Sequence, residues 1–301
     1  MTRLLKGSIA KSTSVVYRRA WALLVELSNK VACNVSSVPK LPLSVGQVSF
    51  YIASMHVRGY APSTMITYVS AIGYLHKISG FSDPTREFVI QKLLAGAAKI
   101  APSVDPRLPV THILLHRLIE DLPHYVSAHY NRVLIAAMFS VAFFGLFRVG
   151  ELTVSKFGDV LLHLKDLKVQ GDHFVISIAK YKHSKSNTAI QIPIERQSDT
   201  TICPVTLLFN YLSLRGTSPG PLFMFTSGSH VPRQFFTKTL SGGVSFIGLQ
   251  PSLYKSHSFR IGGASHLASL GFSDAQIRMR GRWESDAFKR YIRAFRAGVY
   301  V

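Results

Sequence analysis

Cysteine is scarce in this chain, which has two such residues among 301. Cys33 and Cys203 lie far apart, so the sequence shows neither the paired cysteines of a disulfide-stapled domain nor the close spacing of a zinc knuckle. This usage excludes a disulfide framework and is typical of a reducing, intracellular compartment.

Long apolar runs are also missing. The most apolar stretch covers residues 133–147 and is interrupted by Ser140 and Gly145. It is shorter than the roughly 18–20 residues that a helix needs to cross a bilayer, and it runs directly into Arg148. The N-terminal residues include basic side chains but no sustained apolar segment. The sequence therefore predicts a buried helix here, with no membrane span and no signal peptide.

Acidic side chains are few as well: 15 Asp and Glu stand against 35 Lys and Arg, which gives a formal net charge of +20. A surplus of this size attracts polyanions. Nucleic acid is the first partner that it indicates, and an anionic membrane surface is the second. Because hydrophobic residues make up 47% of the chain, general disorder is excluded.

Helical patterns fill the first hundred residues, and no strand-like alternation interrupts them. Three prolines then follow within residues 101–109, and none of them fits inside a helix because proline lacks the backbone N–H. The sequence predicts a helical domain over 1–100, a linker over 101–109 and a second domain over 110–301. The predicted helices of the first domain cover about 13–29, 45–59, 65–80 and 86–99.

The second domain begins with two predicted helices, at about 111–121 and 125–147. Three predicted strands follow, and turns separate them. Helical patterns return after Pro204. The fold class is therefore mainly α with a small antiparallel β-sheet in the second domain. The predicted strands are 162–169, 174–179 and 189–194.

Four short stretches of the second domain combine reactive and charged side chains. Each alone has a simpler explanation. Arg148 and Glu151 can form a helix-end salt bridge, and hairpin lysines can protect a sheet edge. Gly262 and Gly263 can simply allow close packing of helices. The four stretches are 145–152 (GLFRVGEL), 180–185 (KYKHSK), 257–263 (HSFRIGG) and 281–293 (GRWESDAFKRYIR).

Together the stretches contain what cleavage of a phosphodiester requires. Planar arginine side chains can hold the two non-bridging oxygens, and fixed cationic donors can stabilise the transition state as a metal ion does in other phosphoryl transfers. A lysine can protonate the leaving 5′-oxygen. Tyrosine, with an ordinary pKa near 10, becomes a nucleophile when cations and a histidine help to remove its proton. The combination predicts covalent cleavage of DNA without a metal or a cofactor.

The order of these residues along the chain resembles that of the tyrosine recombinases, the phage-integrase family that includes Cre and lambda integrase. FGLFRVGEL is similar to the family's first box, SHSFRIGGASHLASLG to its second box and GRWESDAFKRYIR to its tyrosine box. The sequences of these boxes most resemble those of eukaryotic DIRS, Ngaro and Crypton transposon recombinases. Residues 60–85 resemble part of the family's SAM-like core-binding domain, so the resemblance implies a helical core-binding domain over 1–100 and a mixed α/β catalytic domain over 110–301.

The resemblance implies a role for each residue of the ordered set. Tyr291 would attack the DNA and form a 3′-phosphotyrosyl link. Arg148 and Arg260 would bind the scissile phosphate, with Glu151 as the supporting acidic residue. His257 would contact the phosphate or assist the tyrosine, and Trp283 would donate its ring N–H. Lys185 would be the general acid, with Lys182 and Lys180 as open alternatives.

The resemblance also implies the partners, which are double-stranded DNA and further copies of the chain, from a dimer to a tetrameric synapse that passes through a Holliday junction. The activity would be site-specific recombination or integration of a mobile element. The protein would act in the nucleus if that element is eukaryotic, and otherwise in the cytoplasm or nucleoid. The predicted contacts to the DNA backbone are Lys180, Lys182, Arg280, Arg282, Lys289, Arg290 and Arg293.

Two other functions remain open at this point. A type IB topoisomerase-like enzyme shares the chemistry but relaxes supercoils as a monomer. A domesticated DNA-binding protein would keep the fold and lack cleavage. The complete set of candidate catalytic residues argues against the second alternative, because drift is expected to remove at least one of them.

Overall fold

The computed structural model describes residues 7–31, 39–102, 105–154, 162–178, 189–289 and 292. The chain divides into two compact units, Met1–Asp105 and Pro106–Val301. The division falls inside the segment predicted as a linker. The end of that segment belongs to the second unit, since the Leu108 N–H donates to the Leu253 carbonyl over 2.8 Å and the Val110 N–H to that of Ser258 over 3.0 Å.

The described part of the first unit is helical, as the sequence predicts. Ser44 begins one helix with a capping box, in which its side chain accepts from the Gln47 N–H and the Gln47 side chain accepts from the Ser44 N–H. The Tyr51 hydroxyl donates to the Ala20 carbonyl and so joins two of the helices. The helices are α1 (Lys11–Val31), α2 (Val45–Val57), α3 (Pro62–Ile78) and α4 (Phe88–Ile100), with a short 3₁₀ turn at Pro84–Arg86.

The second unit places one buried helix at its centre and a small sheet at its side. The helices that precede the sheet are α5 (His112–Glu120), α6 (Leu122–Tyr125), α7 (His129–Phe144) and α8 (Val149–Leu152). The strands are β1 (Leu167–Gln170), β2 (His173–Ile178) and β3 (Ile190–Ile194). The helices that follow are α9 (Pro204–Arg215), α10 (Arg233–Phe246), α11 (Ser258–Ser269) and α12 (Asp274–Gly281).

The sheet is antiparallel in the order β1-β2-β3, with Leu167 opposite Ile176 and Ile176 opposite Ile192. The inward side chains Phe174, Ile176 and Ile178 alternate along β2 and join the core of the unit. The prediction of a mainly α fold with a small antiparallel sheet is confirmed.

Two predicted elements were wrong in extent. The strand expected at 162–169 begins only at Leu167, because the Asp166 carboxylate accepts from the His163 N–H and holds residues 164–166 in a 3₁₀ turn. The helix expected at 125–147 is shorter, because the chain is extended at Val126 and at Ala128, so that α7 begins only at His129 and ends at Phe144.

Helix α7 confirms the prediction of a buried helix. Every residue from Leu134 to Phe143 is buried, among them the polar Ser140, whose hydroxyl donates to the Ile202 carbonyl over 2.5 Å. Its apolar surface therefore packs against protein. Within the part of the chain that the structure describes, no helix is both long and apolar enough to span a membrane.

Two glycines let α11 pack closely against its neighbours, as the simpler explanation of this pair predicts. A Cβ on Gly262 would lie 1.7 Å from the Val110 carbonyl oxygen, and one on Gly263 would lie 2.3 Å from that of Phe143. Neither position has room for a larger residue. This contact brings the first turn of α11, with Arg260, against the C-terminal end of α7.

Candidate active site

The segment after α7 turns sharply and places Arg148 beside Glu151. Leu146 has a left-handed backbone conformation with φ 49°, and Arg148 is the N-cap residue of α8. The buried Glu151 carboxylate accepts from the Arg148 N–H over 2.8 Å and from its Nη1 over 3.0 Å. The predicted pairing of these two residues is therefore present, and it holds the Arg148 side chain at the start of the helix.

Arg282 is the second cationic partner of the same carboxylate. Its Nη2 lies 2.9 Å from Glu151 Oε2 and also donates to the Leu146 carbonyl over 3.0 Å, and its Nη1 donates to that of Gly145 over 3.4 Å. The Arg282 side chain is 1% exposed. The prediction that Arg282 contacts the DNA backbone is wrong for this structure, because a side chain buried to this extent does not reach the surface.

The burial of Arg282 follows from its backbone. The residue ends α12 in a left-handed conformation with φ 56° and ψ 45°. This conformation turns the side chain away from the direction that the helix would give it. The sequence gives little indication of this burial, because an arginine that follows Arg278 and Arg280 resembles one more basic surface residue.

Arg260 is fully buried beside this pair. Its Nη1 donates to the Leu146 carbonyl, and its Nη2 donates to the Gly281 carbonyl over 2.6 Å. The centre of its guanidinium lies 4.3 Å from the centroid of the Trp283 ring, which gives a cation–π contact. One carbonyl, that of Leu146, therefore accepts from both Arg260 and Arg282.

The position of the Trp283 ring requires a glycine at residue 281. A Cβ on Gly281 would lie 1.6 Å from that ring. The ring also packs against Phe288 at 5.8 Å between centroids. The structure thus brings Arg148, Arg260 and Trp283 together around the 145–151 segment, as the sequence analysis predicted, and it gives Trp283 an added contact with Arg260.

The cluster carries an excess of positive charge. Among the described residues, Glu151 is the carboxylate that contacts it, against the guanidinium groups of Arg148, Arg260 and Arg282. Buried like charges repel strongly, and carbonyl dipoles offset this only in part. The Arg148 side chain is 24% exposed, so it is the member that an incoming anion reaches from solvent. Such an arrangement can bind a phosphate.

His257 lies immediately before α11 and is partly buried. It precedes Arg260 by three residues, a spacing that puts both on one side of the helix start. Within the described residues, no three His, Cys, Asp or Glu side chains come together in a way that could hold a metal ion.

Several predicted site residues lie outside the described residues. The lysines among them belong to the connection between the paired strands β2 and β3. Ile292 is described, and it packs on a small core that includes Leu146, Phe288 and Trp283. Ile292 therefore lies in the same small core as Leu146 and Trp283, whose carbonyl and ring contact the buried Arg260. The residues outside the described ranges are Lys180, Lys182, Lys185, Arg290, Tyr291 and Arg293.

Two predicted DNA contacts are on the surface and paired with acids. Arg280 lies 3.3 Å from Glu195 and stacks on Phe272 at 4.8 Å. Lys289 lies 3.0 Å from Asp286, and this hydrogen bond raises the pKa of the lysine. A DNA phosphate has to compete with these carboxylates, so each contact is weaker than that of an unpaired cation.

A comparison with protein-family models gives no match, and a comparison with curated proteins gives none either. Solved structures do match. The Tn1549 transposon integrase in complex with transposon right-end DNA has a TM-score of 0.66 at 12% identity, over 96% of this chain and 90% of that one. The XerH site-specific recombinase bound to its difH substrate has a TM-score of 0.63 at 16% identity, over 91% and 74%.

A lambda integrase dimer bound to a COC′ core site is similar at a TM-score of 0.61 and 15% identity, over 100% of this chain and 77% of that one. At these identities the likeness concerns the fold. The chain therefore has the fold of site-specific recombinases and integrases.

Proposed function

We propose that this chain cleaves and rejoins DNA strands through Tyr291, as a tyrosine-type site-specific recombinase or integrase. The observation that carries the proposal is the arginine cluster around Glu151 and the Leu146 carbonyl, together with the position of Ile292 beside it. Ile292 packs with Leu146 and Trp283, which both contact Arg260, and this supports a nucleophile at the preceding residue.

The proposed cleavage is a transesterification that keeps the number of phosphate ester bonds constant. The Tyr291 hydroxyl loses its proton with the help of His257 and attacks the phosphorus. The bond to the 5′-oxygen breaks, and Lys185 protonates this oxygen, with Lys182 and Lys180 as alternative acids. The product is a 3′-phosphotyrosyl ester and a free 5′-hydroxyl. Because a diester is retained, attack by a 5′-hydroxyl rejoins the strand without an external energy source.

The difference in burial between the two predicted phosphate-binding arginines supports different roles for them in the proposed reaction. Arg148 reaches solvent and makes the first contact with the phosphate. Arg260 is fully buried, and the Trp283 ring covers one face of its guanidinium. Direct contact with Arg260 therefore requires the side chains that cover it to move. We propose that DNA binding causes this movement and so completes the site only on substrate.

Double-stranded DNA is the proposed partner. The net charge of +20 supports it, and the XerH, Tn1549 and lambda proteins are each seen on DNA. By analogy with the dimer of lambda integrase, further copies of the chain assemble on that DNA. Recombination would proceed through a Holliday junction in a tetrameric synapse. The DNA acted on would be that of a mobile element. For an element of the DIRS, Ngaro or Crypton kind, the protein would act in the nucleus.

The test is the formation of a covalent protein–DNA adduct. The probe is a library of nicked duplexes with a randomised centre, in which cleavage near the nick releases a short fragment and traps the adduct. Adducts that survive denaturing electrophoresis are recovered and sequenced. Wild-type protein is expected to form them, and Tyr291→Phe is expected to bind the same DNA without forming any.

The result of this test distinguishes the proposed recombinase from the alternative functions. An adduct with Tyr291→Phe would show that another residue is the nucleophile, with Tyr300 the first to test. Binding without an adduct in the wild type would favour a DNA-binding protein that does not cleave. If adducts form, two copies of the selected site on one plasmid separate the remaining alternatives: exchange between them supports a recombinase, and relaxation of supercoils alone supports a topoisomerase.

A further inference from the structure

We propose that Arg282 is a positioning residue of the proposed active site, which keeps Arg148 available for the scissile phosphate by neutralising Glu151. The inference rests on the proposed function. It differs from the surface role that the sequence suggested, because Arg282 acts on the DNA through other side chains and does not contact it.

The carboxylate of Glu151 is divided between two arginines. Its Oε1 accepts from Arg148 Nη1 over 3.0 Å, and its Oε2 lies 2.9 Å from Arg282 Nη2. Oε2 also accepts from the Arg148 N–H over 2.8 Å. A carboxylate can bind one guanidinium with both oxygens when no other cation competes. Arg282 is that competing cation.

Loss of Arg282 would change the state of Arg148. Glu151 is 3% exposed, so its charge cannot be compensated by solvent. Without Arg282, the carboxylate is expected to turn both oxygens to the Arg148 side chain. That side chain would then be drawn from its partly exposed position, and its charge would be largely cancelled when the phosphate arrives.

Arg282 also touches the segment that holds the other buried arginine. It donates to the Leu146 carbonyl, which accepts from Arg260 as well. Because Arg282 ends α12 and the Leu146 segment follows α7, the contact ties the tyrosine box to the first box of the sequence. The same side chain thus influences the positions of both predicted phosphate ligands.

The test compares single-turnover cleavage with DNA affinity, using the nicked duplexes selected above. Arg282→Gln is expected to retain the DNA affinity of the wild type and to form adduct about 100-fold more slowly, the scale of a roughly 1 Å displacement in an active site. Adding Glu151→Gln to this variant removes the carboxylate that captures Arg148. The double variant is expected to form adduct at least about tenfold faster than Arg282→Gln alone.

Arg215 supplies the matched control. It is also a buried arginine, and it donates to the carbonyls of Gly216, Ser218, Pro221 and Leu222, outside the candidate site. Arg215→Gln is expected to lower the melting temperature as Arg282→Gln does, while its folded fraction cleaves at the wild-type rate. Arg282→Lys keeps the charge beside Glu151 and is expected to cleave faster than Arg282→Gln, which provides a second variant if the glutamine does not fold.

The outcomes separate the inference from the function on which it rests. Normal cleavage by folded Arg282→Gln, or a double variant no faster than the single one, would overturn the positioning role while wild-type adducts still support the recombinase. A large loss of DNA affinity in folded Arg282→Gln would indicate direct contact with DNA and would also overturn the positioning role. Absence of adducts in the wild type would overturn the proposed function and this inference together.

Discussion

Replacing Gly262 by alanine is expected to destabilise the second unit, although alanine is the better helix former. Gly262 lies inside α11, where the change to alanine by itself favours the helix by up to about 1 kcal/mol. Against this, the new Cβ would lie 1.7 Å from the Val110 carbonyl oxygen, and real Cβ atoms essentially never come closer than 3.0 Å.

The clash cannot be relieved by a side-chain rotation. The obstacle is a backbone oxygen, and the Val110 N–H is bonded to the Ser258 carbonyl at the start of the same helix. Helix α11 and the segment at Val110 must therefore separate by more than about 1 Å, in an interior that is as closely packed as a crystal. Overpacking of this kind costs about 1–3 kcal/mol and more when backbone has to move. We expect a net loss of at least about 2 kcal/mol.

Gly242 is the matched control for this substitution. It lies inside α10 of the same unit, and a Cβ there would meet only the Tyr125 ring, at an ordinary 3.9 Å. Gly242→Ala is expected to raise the free energy of unfolding slightly, and Gly262→Ala to lower it. Urea denaturation of both variants, followed by circular dichroism, measures the difference. If Gly262→Ala proves as stable as Gly242→Ala, the close contact of α11 with Val110 is not what holds the helix in place.

Three further predictions concern charge. Glu151→Gln leaves the buried Arg282 without its carboxylate and should lower the free energy of unfolding by about 3–5 kcal/mol in urea titrations; a loss below 1 kcal/mol would contradict the buried ion pair. DNA affinity should fall steeply between about 50 and 200 mM salt. Arg280→Gln should reduce the slope of log K against log salt by up to about one. Fluorescence anisotropy with a random duplex measures both. Burial lowers the pKa of His266, with a smaller effect of His112, so the unfolded chain binds a proton first on acidification. Stability should therefore fall as the pH drops below the ordinary histidine value of about 6.5, and His266→Phe should flatten this part of the pH profile; an unchanged profile would refute the assignment.

The helices were predictable because their signals are local. Ser44 and its capping box begin α2, and Gly80 follows α3, so the ends of these helices could be read from neighbouring residues. The buried helix α7 was predictable from a run of apolar residues alone. The start of β1 was not, because it depends on a side-chain bond from Asp166 to the backbone at His163.

The contact between neighbouring residues of the candidate site could be predicted from the sequence, but the burial of its arginines could not. The spacing of Arg148 and Glu151 already indicates a contact within one helical turn, and the structure contains it. The burial of Arg260 and Arg282 could not be predicted, because it depends on the carbonyls of Gly145, Leu146 and Gly281, which tertiary packing brings to them. Sequence patterns record which side chains are charged and carry no record of which backbone oxygens face them.

The left-handed turn at Leu146 has a consequence for how such a site can be altered. One peptide plane there points its oxygen at two guanidinium groups while the attached leucine side chain fills the small core beneath them. A rotation of that plane would move both cations at once, so apolar substitutions in this core are expected to displace the arginine cluster as charged substitutions do. If the proposed recombinase activity is confirmed, variants designed for a new DNA target should keep these supports and change side chains at the outer surface.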